Sequence, residues 1–242
     1  MKHSAERTAH GLIPIADGLW SMTQPLRFWG VETGARMTIV RLQDGGLFVH
    51  SPLPLDEALG AEIDGLGPTK VVVAPSLFHH LSAGVWKDSY PEAVLACCPG
   101  LEKKRADLAW DRILSDRPEP EWAGHLDQVV FAARTMENEV VFFHRRTRTM
   151  ICADAIFNLS EHPSRLTRIV ALLLGNRKPG ATWLERLMIR DRAAAREQIG
   201  RMIAWKPERI LLAHGKCIEH DGEAVLRKAY AWLNTPPPGF LA

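Results

Sequence analysis

The sequence predicts an α/β protein of four layers, αββα, in which two β-sheets are covered on their outer faces by helices. Three observations predict it. The first half runs as β-branched strands broken by glycine and proline turns, a fully apolar strand follows a short helix at Lys70 to Ala74, and the second half mixes a hairpin with helices. Two sheets with helices outside are the layered solution to that order. The hairpins break strict strand-helix alternation, which argues against a closed eight-fold barrel.

Taken in order, Gly18-Leu19-Trp20-Ser21-Met22 and Ala35 to Leu42 read as strands, and Asp44-Gly45-Gly46 as a hairpin turn into Leu47-Phe48-Val49-His50. Ser51-Pro52-Leu53-Pro54 ends the meander. Asp56 to Leu66 reads as a short helix, with Leu55, Leu59 and Ile63 spaced by four and Gly67-Pro68 closing it. The Lys70 to Ala74 strand and an Ala93 to Cys97 strand follow. A helix is expected over Leu101 to Leu114, with Ala106, Trp110, Ile113 and Leu114 on one face. After the break at Arg117-Pro118-Glu119-Pro120 comes a strand from Gln128 to Ala132. Val140 to His144 and Thr149 to Ala153 form a hairpin, then helices run over Ser164 to Leu174, Trp183 to Met188 and Arg192 to Trp205. Lys206-Pro207 stops the last of these, Arg209 to Ala213 is the final strand, and an amphipathic helix carrying Val225, Leu226, Ala229, Trp232 and Leu233 closes the chain.

With 242 residues, 46% hydrophobic and 24% charged, the chain suits one large core, and a single domain over 1–242 is the expectation. Thirty Lys and Arg against 28 Asp and Glu leave a net charge of +2, too even to argue for nucleic acid or an acidic membrane surface. Lys103-Lys104-Arg105 and His144-Arg145-Arg146-Thr147-Arg148 read as a helix face and a solvated turn. The N-terminus lacks the apolar core of a signal peptide. The longest greasy stretch of the chain, Ile169 to Leu174, falls far short of the ~20 residues of a membrane span. A cytoplasmic protein is expected. Cys97, Cys98, Cys152 and Cys217 form neither a C-x-x-C pair nor a disulfide framework and read as reduced and buried.

Four side chains carry the candidate chemistry. His79 and His80 end the run V-V-V-A-P-S-L-F-H-H, Asp154 follows M-I-C-A, and His214 follows R-I-L-L-A. Each sits at or just past a strand end, where a sheet delivers side chains to a shared edge, and imidazole with carboxylate suits zinc, iron or manganese. Adjacent histidines alone are more readily loop polarity; with Asp154 and His214 in that order, metal binding or its vestige is the better account. Around them, His50 could face the same edge or be a hydrogen-bonded supporting group. Trp86 could wall a pocket or serve the core. His162 lies in the loop after Asp154, and Cys217 lies three residues past His214. Arg27, Phe28 and Trp29 form either a lid or a packed turn.

These segments resemble the metallo-β-lactamase superfamily. P-S-L-F-H-H-L-S-A-G-V-W and E-V-V-F-F-H-R-R-T-R-T-M-I-C-A-D are similar to a subfamily of that fold with no assigned function, and the likeness runs from about Gly18 to Leu233. The resemblance implies an αββα sandwich with metal held between the sheets. The superfamily's H-x-H-x-D-H signature, placed on this chain, puts His80 at its final histidine, His79 at its aspartate, and Pro75 and Leu77 at its first two histidines. Thr135 falls near the histidine of the G-H-T segment. The first metal site is therefore missing all three ligands, and the second keeps His79, His80, Asp154 and His214.

From this the sequence is expected to hold at most one transition metal, zinc or iron, and not to hydrolyse β-lactams. Two functions remain open. One is a mononuclear metal-dependent hydrolase of a small ester, thioester or phosphoester; the other is a catalytically silent member acting in binding or assembly. The substrate and the oligomeric state are left unspecified.

Overall fold

The computed structural model describes residues 11–133 and 138–234. In chain order the elements are β1 (Ile13–Ala16), β2 (Leu19–Gln24), β3 (Arg27–Phe28), β4 (Val31–Glu32), β5 (Ala35–Arg41), β6 (Leu47–His50), α1 (Glu57–Leu66), β7 (Thr69–Ala74), α2 (Ala83–Ser89), β8 (Val94–Cys97), α3 (Leu101–Lys104) and β9 (Arg112–Ile113). The second half adds β10 (Leu126–Phe131), β11 (Glu139–His144), β12 (Thr149–Ile151), α4 (Arg165–Leu173), α5 (Trp183–Met188), α6 (Arg192–Ala204), β13 (Arg209–Leu211) and α7 (Gly222–Tyr230).

The strands assemble into a seven-stranded sheet ordered β1-β2-β5-β6-β7-β8-β9, a four-stranded sheet ordered β10-β11-β12-β13, and the small β3-β4 hairpin. Period-two alternation explains how one strand serves two layers. Val71 and Val73 of β7 face the gap between the sheets, together with Val40, Phe48, Val140, Phe142, Ile151 and Leu211. Val72 faces the other way, packing with Ile39 and Val49 against Leu59 and Ile63 of α1 and Trp86 of α2. On the far side, Val141, Phe143 and Met150 meet Ala195, Ile199 and Met202 of α6 and Leu226 and Ala229 of α7. The result is an αββα sandwich, as the strand pattern predicts.

Local signals fix several elements. Asp56 caps α1 by accepting from the Leu59 N–H at 2.8 Å, and Gly67, at φ 152°, donates to Ile63 O and ends it. Thr182 and Glu185 form a reciprocal capping box on α5. The helix expected over Leu101 to Leu114 is not formed as such. Only Leu101–Lys104 is helical, because the Asp111 carboxylate accepts from Leu95 N at 2.8 Å and Asp111 N donates to Leu95 O at 2.9 Å. Those bonds lay Arg112–Ile113 against β8 as an edge strand, a sheet pairing that local helical spacing does not reveal.

Candidate metal centre

β7, β12 and β13 run in a common direction at their ends, and the loops just past them bring His79, Asp154 and His214 together. One ligand atom from each lies within 4.8 Å of the other two. His79 Nε2 and His214 Nε2 each stand 3.3 Å from Asp154 Oδ1 and 3.1 Å from one another. Tetrahedral ligands about 2 Å from one ion are separated by roughly 3.3 Å, so this near-equilateral triangle has the dimensions of a single-ion face.

Every corner is braced from behind. His214 Nδ1 donates to Gly34 O at 2.8 Å, which leaves Nε2 to face the triangle. His79 Nδ1 lies 2.7 Å from Ser51 Oγ, and Ser51 occupies the left-handed region at φ 57°. Asp154 Oδ2 accepts from Ser76 Oγ at 2.9 Å, and the Ser76 Oγ itself accepts the Phe78 and His79 N–H groups at 3.2 Å each. Glu139, buried at the start of β11, takes the Ala153 and Asp154 N–H groups on its two carboxylate oxygens. Phe157 stacks on the His214 ring, with centroids 5.4 Å apart and planes at 6°. Gly215 has φ 98°, and a Cβ there would stand 2.0 Å from Asn158 O. No side chain fits at that position, so the glycine of L-A-H-G lets the chain turn directly after the histidine.

The electrostatics follow from this packing. Burial alone would push Asp154 up; the charge of His79 and the hydrogen bonds from His214 and His79 outweigh it and hold the carboxyl well below the usual carboxylate range. Burial likewise pushes His214 down, and its bond and attraction to Asp154 raise it overall. A stable carboxylate and two imidazoles whose Nε2 atoms face it offer a donor set suited to one borderline cation.

His80, the fourth expected donor, is placed apart from these three. It lies outside the triangle: its carbonyl accepts Ala83 N at the entry to α2, and its Nδ1 faces Arg105 Nη1 at 3.2 Å. Adjacent side chains in a tight turn diverge, so only one of the His-His pair reaches Asp154. Burial, followed by the charges of Lys104 and Arg105, lowers the His80 pKa. Of the two readings of Trp86, the structure gives the core. The residue is fully buried under the first sheet, with Nε1 donating to Leu53 O at 2.7 Å.

His162 serves its own loop, its Nδ1 accepting from Ser164 N at 3.1 Å. Cys217 packs against the inter-sheet core, and burial pushes its thiol up. Cys97, Cys98 and Cys152 are buried free thiols, also pushed up by burial. His50 is buried beside the centre, where burial and then the charge of His79 lower its pKa to about 3, and its Nε2 makes no hydrogen bond. Leu77 packs on the inter-sheet core and Pro75 is buried, its carbonyl accepting Val140 N at 2.8 Å. Thr135, the remaining position compared with a ligand, lies outside the described residues.

The sequence reading did not single out Ser51, Ser76, Glu139, Gly34 or Phe157. Ser76 had a signal, since a serine two and three residues before exposed N–H groups commonly folds back on them. Gly34 and Phe157 act through a backbone carbonyl and a ring face and had none.

A family model described as a domain of unknown function (DUF4336) matches residues 16–205. No curated protein matches the sequence. Among solved structures, a metallo-β-lactamase from Pontibacter korlensis is similar at 12% identity, covering 93% of this chain and 99% of its own, with a TM-score of 0.62. One from Hirschia baltica is similar at 13% identity, covering 93% and 98%, with a TM-score of 0.59. The metallo-β-lactamase FIM-1 from Pseudomonas aeruginosa in its mono-zinc form is similar at 13% identity, covering 96% and 100%, with a TM-score of 0.57. The fold is thus that of the metallo-β-lactamases, reached by a divergent sequence.

Proposed function

This chain belongs to the family described as a domain of unknown function (DUF4336), and from that premise we propose that it is a mononuclear metal-dependent hydrolase of a small ester, thioester or phosphoester. The observation that carries the reading is the triangle of His79 Nε2, Asp154 Oδ1 and His214 Nε2, whose sides are 3.1 to 3.3 Å. Three of its features fit one resident zinc or iron ion: the donor types, their spacing, and the outer hydrogen bond that fixes each donor. Such an ion would supply a Lewis acid for a carbonyl or phosphoryl oxygen. A similar protein of this fold is known in a mono-zinc form, so a one-ion occupancy suits the fold.

The chain's own residues do the rest. Ser51, Ser76 and the Gly34 carbonyl hold the donors in place without adjustment when substrate arrives. The side chains of His79, His214 and Asp154 are only 7, 10 and 6% exposed, which restricts the centre to a small reacting group and limits water around it. Phe78, next to His79, meets Phe28 edge-to-face at 6.4 Å and carries Lys104 Nζ 4.9 Å above its ring. The wall on that side is therefore apolar, with a cation at its rim, and suits a substrate with an apolar body and a negatively charged or carbonyl head.

The test is an esterase, thioesterase and phosphodiesterase panel run with zinc, manganese or iron added. Turnover that depends on the added metal and disappears in Asp154→Ala supports the reading. Metal uptake with no turnover across the panel would overturn it in favour of a catalytically silent binding protein.

A further inference from the structure

Helix α4 is built inside out. An amphipathic surface helix ordinarily turns its large aliphatic residues inward. Here Thr167 and Ala171 face the protein, with Thr167 Oγ1 donating to Glu32 O at 2.7 Å, while Leu166, Ile169, Leu172 and Leu173 are 54, 55, 49 and 72% exposed. Helix α5 repeats the arrangement: Glu185 is buried, and Trp183, Leu184 and Leu187 are 48, 42 and 72% exposed. Trp183 donates through Nε1 to Leu173 O and through its backbone N–H to Leu174 O, both at 3.0 Å, which joins the two helices' outward faces at their adjacent ends.

The charge along this segment is one-sided. Between Ser164 and Arg190 the cations are Arg165, Arg168, Arg177, Lys178, Arg186 and Arg190, and the only carboxylate is Glu185, which is spent on the α5 capping box. None of the six pairs with a carboxylate among the described residues. The near-even charge of the whole chain averages over this segment and hides it.

We propose that the α4–α5 face is a peripheral docking surface for an anionic lipid bilayer. Leucines, an isoleucine and a tryptophan rimmed by arginine suit the headgroup boundary, where the apolar side chains leave water and the guanidinium groups meet phosphates. Helices of nine and six residues are too short to cross a bilayer, so they lie on it. A second copy of this chain is the poorer occupant, because two-fold pairing would bring two cationic faces together. The proposal stands on these helix faces and does not depend on the donor triangle.

The experiment is flotation of the full chain with vesicles of phosphatidylcholine alone or with about a third phosphatidylglycerol. The chain should float with the anionic vesicles at low salt and stay behind with the neutral ones. Raising salt to about 0.5 M should weaken binding at least roughly tenfold. Arg165→Gln, Arg177→Gln and Lys178→Gln together should weaken it by roughly a hundredfold, at about a factor of five per cation. Leu173→Glu with Leu187→Glu should abolish it; both side chains are largely exposed, and circular dichroism checks that the fold survives. No flotation with anionic vesicles at low salt overturns the proposal, as does binding indifferent to both sets of substitutions. Sedimentation that reveals a dimer dissociated by Leu173→Glu and Leu187→Glu, without lipid binding, would assign the face to a second copy instead.

Discussion

Two pairs of histidines in this molecule have nearly the same geometry and opposite electrostatic character. His79 and His214 place their Nε2 atoms 3.1 Å apart with ring centroids at 5.1 Å; His125 and His144 place theirs 3.2 Å apart with centroids at 4.9 Å. The first pair shares the buried carboxylate of Asp154, and His214 is raised in spite of its burial. The second has a hydroxyl instead, with His144 Nδ1 2.7 Å from Thr147 Oγ1. Burial, then the charges of His125 and Arg146, lower His144 to about 4. A close imidazole pair is therefore not in itself a cation site. The buried anion between the rings sets the first pair apart, and β11 connects the two cases, with Glu139 bracing the Asp154 loop at one end and His144 at the other.

The largest expected effect breaks the first pair's distinguishing feature. Asp154→Ala should lower zinc affinity by roughly a hundredfold or more, whereas Thr147→Val should leave it unchanged, as read by competition titration with a chromogenic chelator. Ser76→Ala, which removes the bond to Asp154 Oδ2, should cost roughly 10- to 100-fold in the same titration.

The second pair should instead report itself in stability. Below its ordinary value of 6.5, the unfolded chain takes up a proton at His144 that the folded chain refuses until about 4. This contribution is therefore fully present above 6.5 and is lost as pH falls across that window. Denaturant unfolding at about pH 7.5 and about pH 5 should give a smaller difference for His144→Gln than for the wild type. The smallest effect is expected at His80→Ala, since His80 faces Arg105 rather than the triangle: zinc affinity should not change measurably.

The sheets were legible in the sequence because their signal is local and periodic: Lys70 to Ala74, Leu47 to His50 and Val140 to His144 read directly as buried strands. So was the meeting of His79, Asp154 and His214, since each lies just past such a strand. The choice between His79 and His80 was not, because it depends on how Ser76 folds the intervening turn. The edge strand at Arg112–Ile113 was hidden for the same kind of reason: a pairing with Leu95 sixteen residues away from Asp111 overrode the helical spacing. The outward leucines of α4 were visible as a greasy stretch, but which side they occupy is set by the Thr167 contact with Glu32, from the other half of the chain.

The proposed centre holds one ion, on the carboxylate-centred pair alone. Crystals grown with zinc and measured at the zinc edge test it most directly. One anomalous peak about 2 Å from His79 Nε2, Asp154 Oδ1 and His214 Nε2 is the expected result. Two peaks in that centre, a peak between His125 and His144, or an empty triangle would contradict it.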